Sequence, residues 1–292
     1  MNILLCGARG FIGSHIHQAL LAAGHEVRVA GTVRHRDPAV IPVDFTRDTH
    51  ASNWLDRLEG IDAVVNAVGI LRDSRQRPMR AIHTDTPKAL FDACAQAGIR
   101  RVTQVSALGV DQGHTPYAIT KLAADQHLLA LTEAGALDGV VIRPSIVFGQ
   151  AGASSQLFLN LARLPLLVLP QAVLKARVQP VAVQDLAEAV ARLMDSPFHK
   201  GVLTATGPSP LPLAAFIASL RAQLGHAPAR VWTLPAPLTQ LSARMGDLVP
   251  VSPWCSDTLA MLGQDNVGPA QPLQSLLGHP TIAPEHMLAR MV

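Results

Sequence analysis

Three glycines near the amino terminus limit what this chain can fold into. Gly7, Gly10 and Gly13 stand three residues apart, between an apolar run at residues 3–6 and a helical pattern that starts at Phe11. In such a loop the first glycine permits a sharp turn, the second lets the backbone approach a pyrophosphate, and the third lets the helix pack closely on the strand. The start of the helix adds free N–H groups and a positive dipole end. The sequence therefore predicts a dinucleotide-binding loop formed by Gly7, Arg9, Gly10, Phe11, Ile12 and Gly13.

Short apolar runs alternate with helical patterns through the first half of the chain. The predicted strands lie at residues 3–6, 27–30, 40–43, 63–67, 101–105 and 140–142. The predicted helices between them lie at residues 11–23, 86–97 and 116–134. Such alternation indicates parallel βαβ units. The predicted fold class is therefore α/β, with a doubly wound parallel sheet of the Rossmann type.

The second half of the chain is richer in proline and leucine and has a mainly helical pattern. Predicted strands at residues 179–183 and 202–205 flank a helix at 185–194, and further helices are predicted at 213–224, 238–245, 257–262 and 284–290. We expect residues 1–150 to form the nucleotide-binding domain, with 176–206 returning to it. Residues 151–175 and 207–292 are expected to form a smaller, mainly helical region that helps to enclose a substrate.

Composition excludes several classes of protein. Of the 292 residues, 49% are hydrophobic and only 15% are charged, which is unlike a disordered chain. Aromatic residues make up 4%, too few for a single-stranded nucleic-acid platform, so no nucleic-acid partner is expected. The three cysteines are far apart, and no metal site or disulfide framework is predicted. With no signal peptide and no membrane-spanning run in the sequence, we expect a cytoplasmic protein that acts on a small-molecule substrate.

The glycine spacing resembles that of the extended and atypical short-chain dehydrogenase/reductase families. The resemblance continues in four segments, at residues 44–45, 66–69, 143–149 and 180–187. It implies that Asp44 and Phe45 contact the adenine of a nicotinamide cofactor. It also implies that the segments after the fourth and sixth strands lie near that cofactor, which adds Asn66, Ala67, Val68, Pro144 and Ser145 to the expected binding residues.

A narrower resemblance concerns the atypical subfamily that contains the NADPH-binding accessory subunit of respiratory complex I. It is carried by residues 68–71, 105–109, 143–149, 259–267 and 277–281. It implies a second kind of function, that of a non-catalytic accessory or assembly protein, peripheral to a respiratory complex at the inner membrane. The sequence does not indicate the oligomeric state, although a helix pairing like that of the wider family would make a homodimer.

The end of the second predicted strand bears on which nicotinamide cofactor is bound. NAD-preferring enzymes of this fold place an acidic residue there for the ribose 2′-hydroxyl, but no carboxylate occurs here before Asp37. Instead, Thr32 can hydrogen-bond a 2′-phosphate, and arginines can pair with it. We therefore predict a preference for NADP(H) over NAD(H), with Arg9, Thr32, Arg34 and Arg36 as the candidate contacts.

The only tyrosine of the chain, Tyr117, stands four residues before Lys121 at the start of a predicted helix. This spacing places both side chains on one face. An ammonium group near a phenol favours the phenolate and lowers its pKa, so Tyr117 could act as an acid or base while hydride moves. In the short-chain family a Tyr-x-x-x-Lys pair is catalytic, and the resemblance implies that Lys121 also holds the ribose hydroxyls.

A third catalytic residue is less clearly marked in the sequence. Ser106 follows the fifth predicted strand, where the family carries a hydroxyl that contacts the substrate, but many extended members have that hydroxyl two positions later, at Leu108 here. Either Ser106 serves or the position is vacant. The leading hypothesis is an NADP(H)-dependent oxidoreductase or epimerase acting on a carbonyl, hydroxyl or nucleotide-sugar substrate, and the accessory protein is the alternative.

Overall fold

A parallel sheet organises the first half of the chain. The computed structural model describes residues 1–32, 40–196, 199–248 and 256–291. Its principal strands are β1 (Asn2–Cys6), β2 (Glu26–Gly31), β3 (Val40–Pro42), β4 (Ala63–Asn66), β5 (Arg101–Val105) and β6 (Asp138–Pro144). The helices of this half are α1 (Phe11–Ala22), α2 (Thr86–Gln96) and α3 (Pro116–Glu133). The predicted α/β class is confirmed, and each predicted element of this half occurs.

The remaining elements follow in chain order. The strands are β7 (Val147–Phe148), β8 (Leu166–Pro170), β9 (Arg177–Val178), β10 (Val181–Ala182), β11 (Gly201–Ala205), β12 (Leu211–Pro212) and β13 (Arg230–Leu234). The helices are α4 (Ala153–Arg163), α5 (Gln171–Lys175), α6 (Val183–Asp195), α7 (Leu213–Gln223), α8 (Ala236–Asp247), α9 (Ser256–Leu262) and α10 (Gln271–Leu277). The helix predicted at residues 284–290 is instead two 3₁₀ turns, Pro284–His286 and Leu288–Arg290.

Strand order in the main sheet is β11-β6-β5-β4-β1-β2-β3 within the described residues. Neighbouring strands from β6 to β3 pair in parallel. The order reverses beside β1, which is the topological switch point where doubly wound folds bind ligands at the carboxyl ends of their strands. The glycine loop follows β1 directly, so this order places it at that point.

The chain divides into two compact units. The first comprises Met1–Pro144 and Leu186–Thr204, and the second comprises Ser145–Asp185 and Ala205–Val292. In the first unit residues 3–6 of β1 are buried, and Leu4 and Cys6 pack with Trp54, Phe91 and Leu128 in one hydrophobic core. That core is why residues 3–6 read as a continuous apolar run, since a central parallel strand is covered on both faces.

The second unit has its own core. Phe216 of α7 meets Phe148 and Phe158 edge-to-face, with ring centroids 5.5 and 5.7 Å away. Strands β8 and β13 form a parallel pair that the sequence did not reveal, because they are 60 residues apart and their apolar runs lie among helical patterns. Nowhere in the described part of the chain is a helix both long enough and apolar enough to cross a membrane.

Candidate active site

The glycine loop has the shape that its spacing predicts. Gly7 has a φ of +88°, and a Cβ at this position would lie 2.9 Å from the carbonyl carbon of Ala67. A Cβ on Gly13 would lie 2.0 Å from the carbonyl oxygen of Gly7, which no side chain can occupy. The loop therefore closes tightly on both the start of α1 and the end of β4, and only glycine permits either contact.

The amino-terminal end of α1 is left available for a ligand. Gly10 is the N-cap residue and supplies no side-chain cap, and the first turn contains no acidic residue. The N–H of Gly10 donates to the carbonyl oxygen of Gly7 at 2.9 Å, which fixes the turn. Arg9 and Gly10 are exposed, and Phe11 and Ile12 are half-buried. A glycine cradle beside an uncapped helix end fits the diphosphate of a dinucleotide.

The residues expected at the adenosine end lie at the carboxyl ends of β2 and β3. Asp44 is exposed, and its Oδ1 accepts the N–H and hydroxyl hydrogen bonds of Thr46, which lower the pKa of this carboxyl. Phe45 is half-buried against the Trp54 ring, with centroids 6.4 Å apart. Thr32 is exposed just after β2. Arg34 and Arg36 lie outside the described residues.

The end of β4 is tied to its neighbours by hydrogen bonds. Asn66 Nδ2 donates to Gln104 Oε1 of β5 at 2.8 Å, while Asn66 Oδ1 accepts from the Val68 N–H at 3.2 Å. The Ala67 N–H donates to the carbonyl oxygen of Cys6 at 2.9 Å. These bonds hold Ala67 and Val68 beside the end of β1, next to the glycine loop.

Lys121 is anchored by the ends of two strands. Its side chain is buried, and Nζ donates to the carbonyl oxygens of Val68 and Val105, each at 3.0 Å. Burial lowers the pKa of Lys121 to about 8, against an opposing effect of the Asp125 carboxylate. An ammonium has three donors, so among the described residues this geometry leaves one N–H of Lys121 for a ligand.

Tyr117 begins the same helix one turn earlier and packs against Ile70, Met79 and Ile82. The pKa of its phenol is raised to about 12, because burial disfavours the phenolate and the Asp125 carboxylate repels it. The Tyr117–Lys121 spacing in the sequence predicts the opposite, a pKa lowered by the ammonium of Lys121. In the folded chain burial and the Asp125 carboxylate raise it instead, so the phenol of Tyr117 is neutral at neutral pH, and its role as an acid or base stays a prediction.

Ser106 belongs to a buried polar network. Its hydroxyl donates to Asp125 Oδ2 at 2.7 Å, and Arg143 Nε donates to the same oxygen at 3.1 Å. Burial raises the pKa of Asp125, while the bonds from Ser106 and the charge of Arg143 oppose that rise. Arg143 also lies 3.4 Å from Asp111. Because the hydroxyl hydrogen of Ser106 is already engaged in the hydrogen bond to Asp125, Ser106 can only accept a hydrogen bond from a substrate in this arrangement. Its catalytic role stays a prediction.

His83 is a site residue that the sequence analysis did not identify. It lies on the π-helical turn Ala81–Asp85 ahead of α2, and its ring meets that of Tyr117 edge-to-face, with centroids 5.4 Å apart. Nε2 accepts the Ile70 N–H at 2.9 Å, and Nδ1 lies 3.1 Å from Thr120 Oγ1. Nε2 as acceptor assigns the proton to Nδ1. No local pattern marks this histidine, although π-turns often occur at functional sites.

The neutral state of His83 has a measurable consequence for stability. Burial, with a smaller contribution from the Lys121 charge, lowers the pKa of His83 to about 3, from 6.5 in an unfolded chain. At pH values between about 3 and 6.5, His83 is protonated in the unfolded state but stays neutral in the folded state. The free energy of unfolding is therefore expected to fall by about 1.4 kcal/mol per pH unit from this group as pH drops from 6.5 toward 3.

The contribution of His83 to the pH dependence of the free energy of unfolding can be isolated by substitution. His83→Gln keeps an acceptor for the Ile70 N–H and is expected to remove that part of the pH slope, measured by urea unfolding at several pH values. His114→Gln, which removes an exposed imidazole from the loop before Tyr117, is the matched control. An identical slope in wild type and His83→Gln would contradict the neutral buried assignment.

Tyr117 can be titrated alone because it is the only tyrosine in the chain. Phenolate absorbance should stay absent while wild type is folded until the pH is well above 10, approaching the value of about 12. Asp125→Asn removes a carboxylate that repels the phenolate, so ionisation should begin at lower pH.

The matched control for this titration is Asp111→Asn, which removes the other carboxylate beside Arg143. It is expected to leave the Tyr117 curve unchanged. A shift in the control as large as that in Asp125→Asn would mean that the surrounding network, rather than the Asp125 charge, sets the ionisation of Tyr117.

The segment after β6 contains the boundary between the two units. Pro144 is buried at the end of the first unit, and its carbonyl oxygen accepts the Leu108 N–H at 2.8 Å. Ser145 begins the second unit, where its hydroxyl donates to the carbonyl oxygen of Gln179. The structure thus fixes both residues by hydrogen bonds, and their contact with a cofactor stays a prediction.

Comparison with known proteins gives a consistent family match. The model of the NAD dependent epimerase/dehydratase family matches residues 3–203. Ceramide reductase from Caulobacter vibrioides is 26% identical over 193 residues, which cover 63% of this chain and 58% of that protein. The match thus spans less than two thirds of that relative.

Solved structures share the fold over nearly the whole chain. A nucleoside-diphosphate-sugar epimerase from Staphylococcus aureus superimposes with a TM-score of 0.74 at 17% identity, covering 99% of both chains. The NADPH-dependent quinone oxidoreductase from Escherichia coli, solved with NADPH, has a TM-score of 0.73 at 17% identity and covers 100% of this chain and 99% of its own. At this level of identity the likeness concerns the fold.

Proposed function

Because this chain belongs to the NAD dependent epimerase/dehydratase family, we propose that it binds NADP(H) in preference to NAD(H) and catalyses an oxidoreductase or epimerase reaction. Tyr117 is the proposed proton donor and acceptor, and the substrate is a carbonyl, a hydroxyl or a nucleotide-sugar compound. The observation that carries the proposal is the pairing of the sole tyrosine with Lys121, whose Nζ is fixed by the ends of β4 and β5.

Each group of proposed binding residues would contact a different part of the cofactor. The glycine loop and the uncapped start of α1 would hold the diphosphate, Asp44 and Phe45 the adenine, and the remaining N–H of Lys121 the nicotinamide ribose. When bound, the nicotinamide supplies or accepts the hydride. With the cofactor so placed, the carboxyl ends of β4 and β5 are where a substrate would meet Tyr117.

The chain's own contribution to the reaction is the proton. A phenol whose pKa is about 12 remains protonated at neutral pH, so Tyr117 Oη is suited to donate to a carbonyl oxygen as the carbonyl is reduced. Lys121, with a pKa of about 8, is mainly ammonium at that pH and stabilises the phenolate that the transfer leaves. His83, held neutral, packs its ring against Tyr117 and keeps the phenol in position.

The preference for NADP(H) is supported by the residues around the ribose position. In the described residues β2 ends at Gly31, and the next residue, Thr32, is an exposed hydroxyl rather than a carboxylate. Arg9 is exposed in the glycine loop. The quinone oxidoreductase of the same fold was solved with NADPH. The reductase name of the Caulobacter vibrioides relative supports reduction as the direction of the reaction.

Fluorescence titration with NADPH and NADH tests the cofactor, and a panel of carbonyl and sugar-nucleotide compounds tests turnover. We expect saturable binding of both nucleotides, with NADPH about tenfold or more the tighter, as a charge-assisted contact to the 2′-phosphate would give. No saturable signal with either nucleotide would overturn the proposal. Binding without turnover on any compound would favour the non-catalytic accessory protein.

A further inference from the structure

The second unit contains an apolar cavity that the proposed chemistry does not use. Its volume is about 390 Å³, within the range of small-molecule sites. It is lined by residues of both segments of this unit: Leu157, Phe158, Leu161, Val168, Leu169, Pro170, Val173, Leu213, Ile217, Leu234, Ser242 and Leu262. Eleven of these twelve side chains are apolar.

The walls of the cavity are held in place by packing on their far sides. Phe158 is buried and meets Phe216 edge-to-face at 5.7 Å. Val173, Leu213 and Ile217 are buried in the same core. Strand β8, which contributes Leu169, pairs along its length with β13. These contacts hold the buried residues of the wall in place, whereas Val168, which also lines the cavity, is 46% exposed.

Among the described residues that line the cavity, Ser242 is the one with a polar side chain, and its hydroxyl donates to the carbonyl oxygen of Thr239 in its own helix, at 2.8 Å. None of these twelve described residues carries a charge. A sugar or a nucleotide placed here would lose its hydrogen bonds to water without replacement, which is costly. Apolar walls of this kind favour hydrocarbon over a polar ligand.

We propose that this cavity binds a long unbranched alkyl chain. A methylene group takes about as much room as a water molecule, ~30 Å³ in the liquid, so the cavity has space for about a dozen carbons. The lining determines the chemical class of the ligand, because every wall presents aliphatic or aromatic surface. The site lies wholly within the second unit, and binding there does not depend on the nucleotide.

The test is a chain-length series. Displacement of the neutral fluorescent probe N-phenyl-1-naphthylamine by n-alkanols of increasing length measures their relative affinities. Each added methylene should strengthen binding about fourfold, until the series levels off at about twelve carbons. If the alkanols instead adsorbed to the protein surface, their affinity would keep rising with chain length. A series that rises without a plateau, or the absence of displacement at any length, would overturn the proposal.

Substitutions in the cavity wall test whether the alkyl chain binds inside the cavity. Val173→Phe adds volume inside the cavity and should move the plateau to chains shorter by about two carbons, and Leu161→Trp, at a half-buried position on another wall, should do the same. The melting temperature and nucleotide titration of each variant show whether it is folded. Leu241→Ser, on the exposed face of α8 with its side chain 56% exposed, is the matched control and should leave the series unchanged. Loss of binding in Leu241→Ser, with an unshifted plateau in both cavity variants, would place the chain outside the cavity and overturn the proposal.

Discussion

Tyr117→Phe is expected to reduce turnover by about 10²–10⁴-fold, the usual contribution of a positioned acid or base, with little change in nucleotide affinity. The variant loses only the hydroxyl, and the ring keeps its contacts with His83, Ile70 and Met79. Lys121 keeps both of its carbonyl partners. Steady-state rates on the best substrate of the panel, together with NADPH titration, separate the loss of chemistry from a loss of binding.

A control on the same helix guards against indirect effects. Ile119 is 56% exposed two residues after Tyr117, and Ile119→Ala is expected to leave both turnover and nucleotide affinity unchanged. Equal turnover by wild type and Tyr117→Phe would remove Tyr117 from the mechanism. Loss of nucleotide binding in Tyr117→Phe would mean that the hydroxyl holds the cofactor instead.

The pH dependence of reduction follows from the two shifted groups. Burial raises the pKa of Tyr117 to about 12 and lowers the pKa of Lys121 to about 8, so Lys121 is the group expected to lose its proton as the pH rises through 8. The rate of carbonyl reduction at low substrate, which reports the free enzyme, should therefore decline above about pH 8 as Lys121 becomes neutral. The phenol itself should impose no decline in that range.

The parts of the site that follow a strand end or a helix start could be predicted from the sequence. The glycine loop, Asn66 and the Tyr117–Lys121 pair each depend on short spacing, because a parallel βαβ unit brings the carboxyl ends of its strands to one edge. The fold class was predictable for the same reason, since buried parallel strands leave continuous apolar runs.

Other parts depend on contacts between distant residues and could not be predicted. His83 reaches Thr120, 37 positions along the chain, and its neutrality comes from burial. The hydrogen bond from Ser106 to Asp125 spans 19 positions. The raised pKa of Tyr117 likewise depends on enclosure by Ile70, Met79 and Ile82, whereas the sequence shows only its neighbour Lys121.

Gly13→Ala is expected to abolish saturable nucleotide binding and to lower the free energy of unfolding by about 2 kcal/mol or more. The added Cβ would lie 2.0 Å from the Gly7 carbonyl oxygen and 2.7 Å from its carbon, and neither backbone atom can move without opening the loop. Alanine favours a helix by about 1 kcal/mol over glycine. A net loss of stability, measured by urea unfolding, therefore shows that the clash outweighs the gain in helix propensity.

Substitutions at two further glycines separate an effect on the free energy of unfolding from an effect on nucleotide affinity. Gly60 has a φ of +70°, but apart from its chain neighbours no described atom lies within 4 Å of an added Cβ. Gly60→Ala should therefore cost about 1–2 kcal/mol through its backbone alone and leave nucleotide affinity unchanged. Gly10→Ala is the converse, since its Cβ would lie 3.3 Å from the Gly7 carbonyl oxygen, a contact that small shifts relieve. That variant should stay folded yet bind nucleotide at least tenfold more weakly, because the methyl group occupies the approach to the diphosphate. If Gly10→Ala bound NADPH as tightly as wild type, the diphosphate could not lie against this loop, whatever Gly13→Ala did to stability.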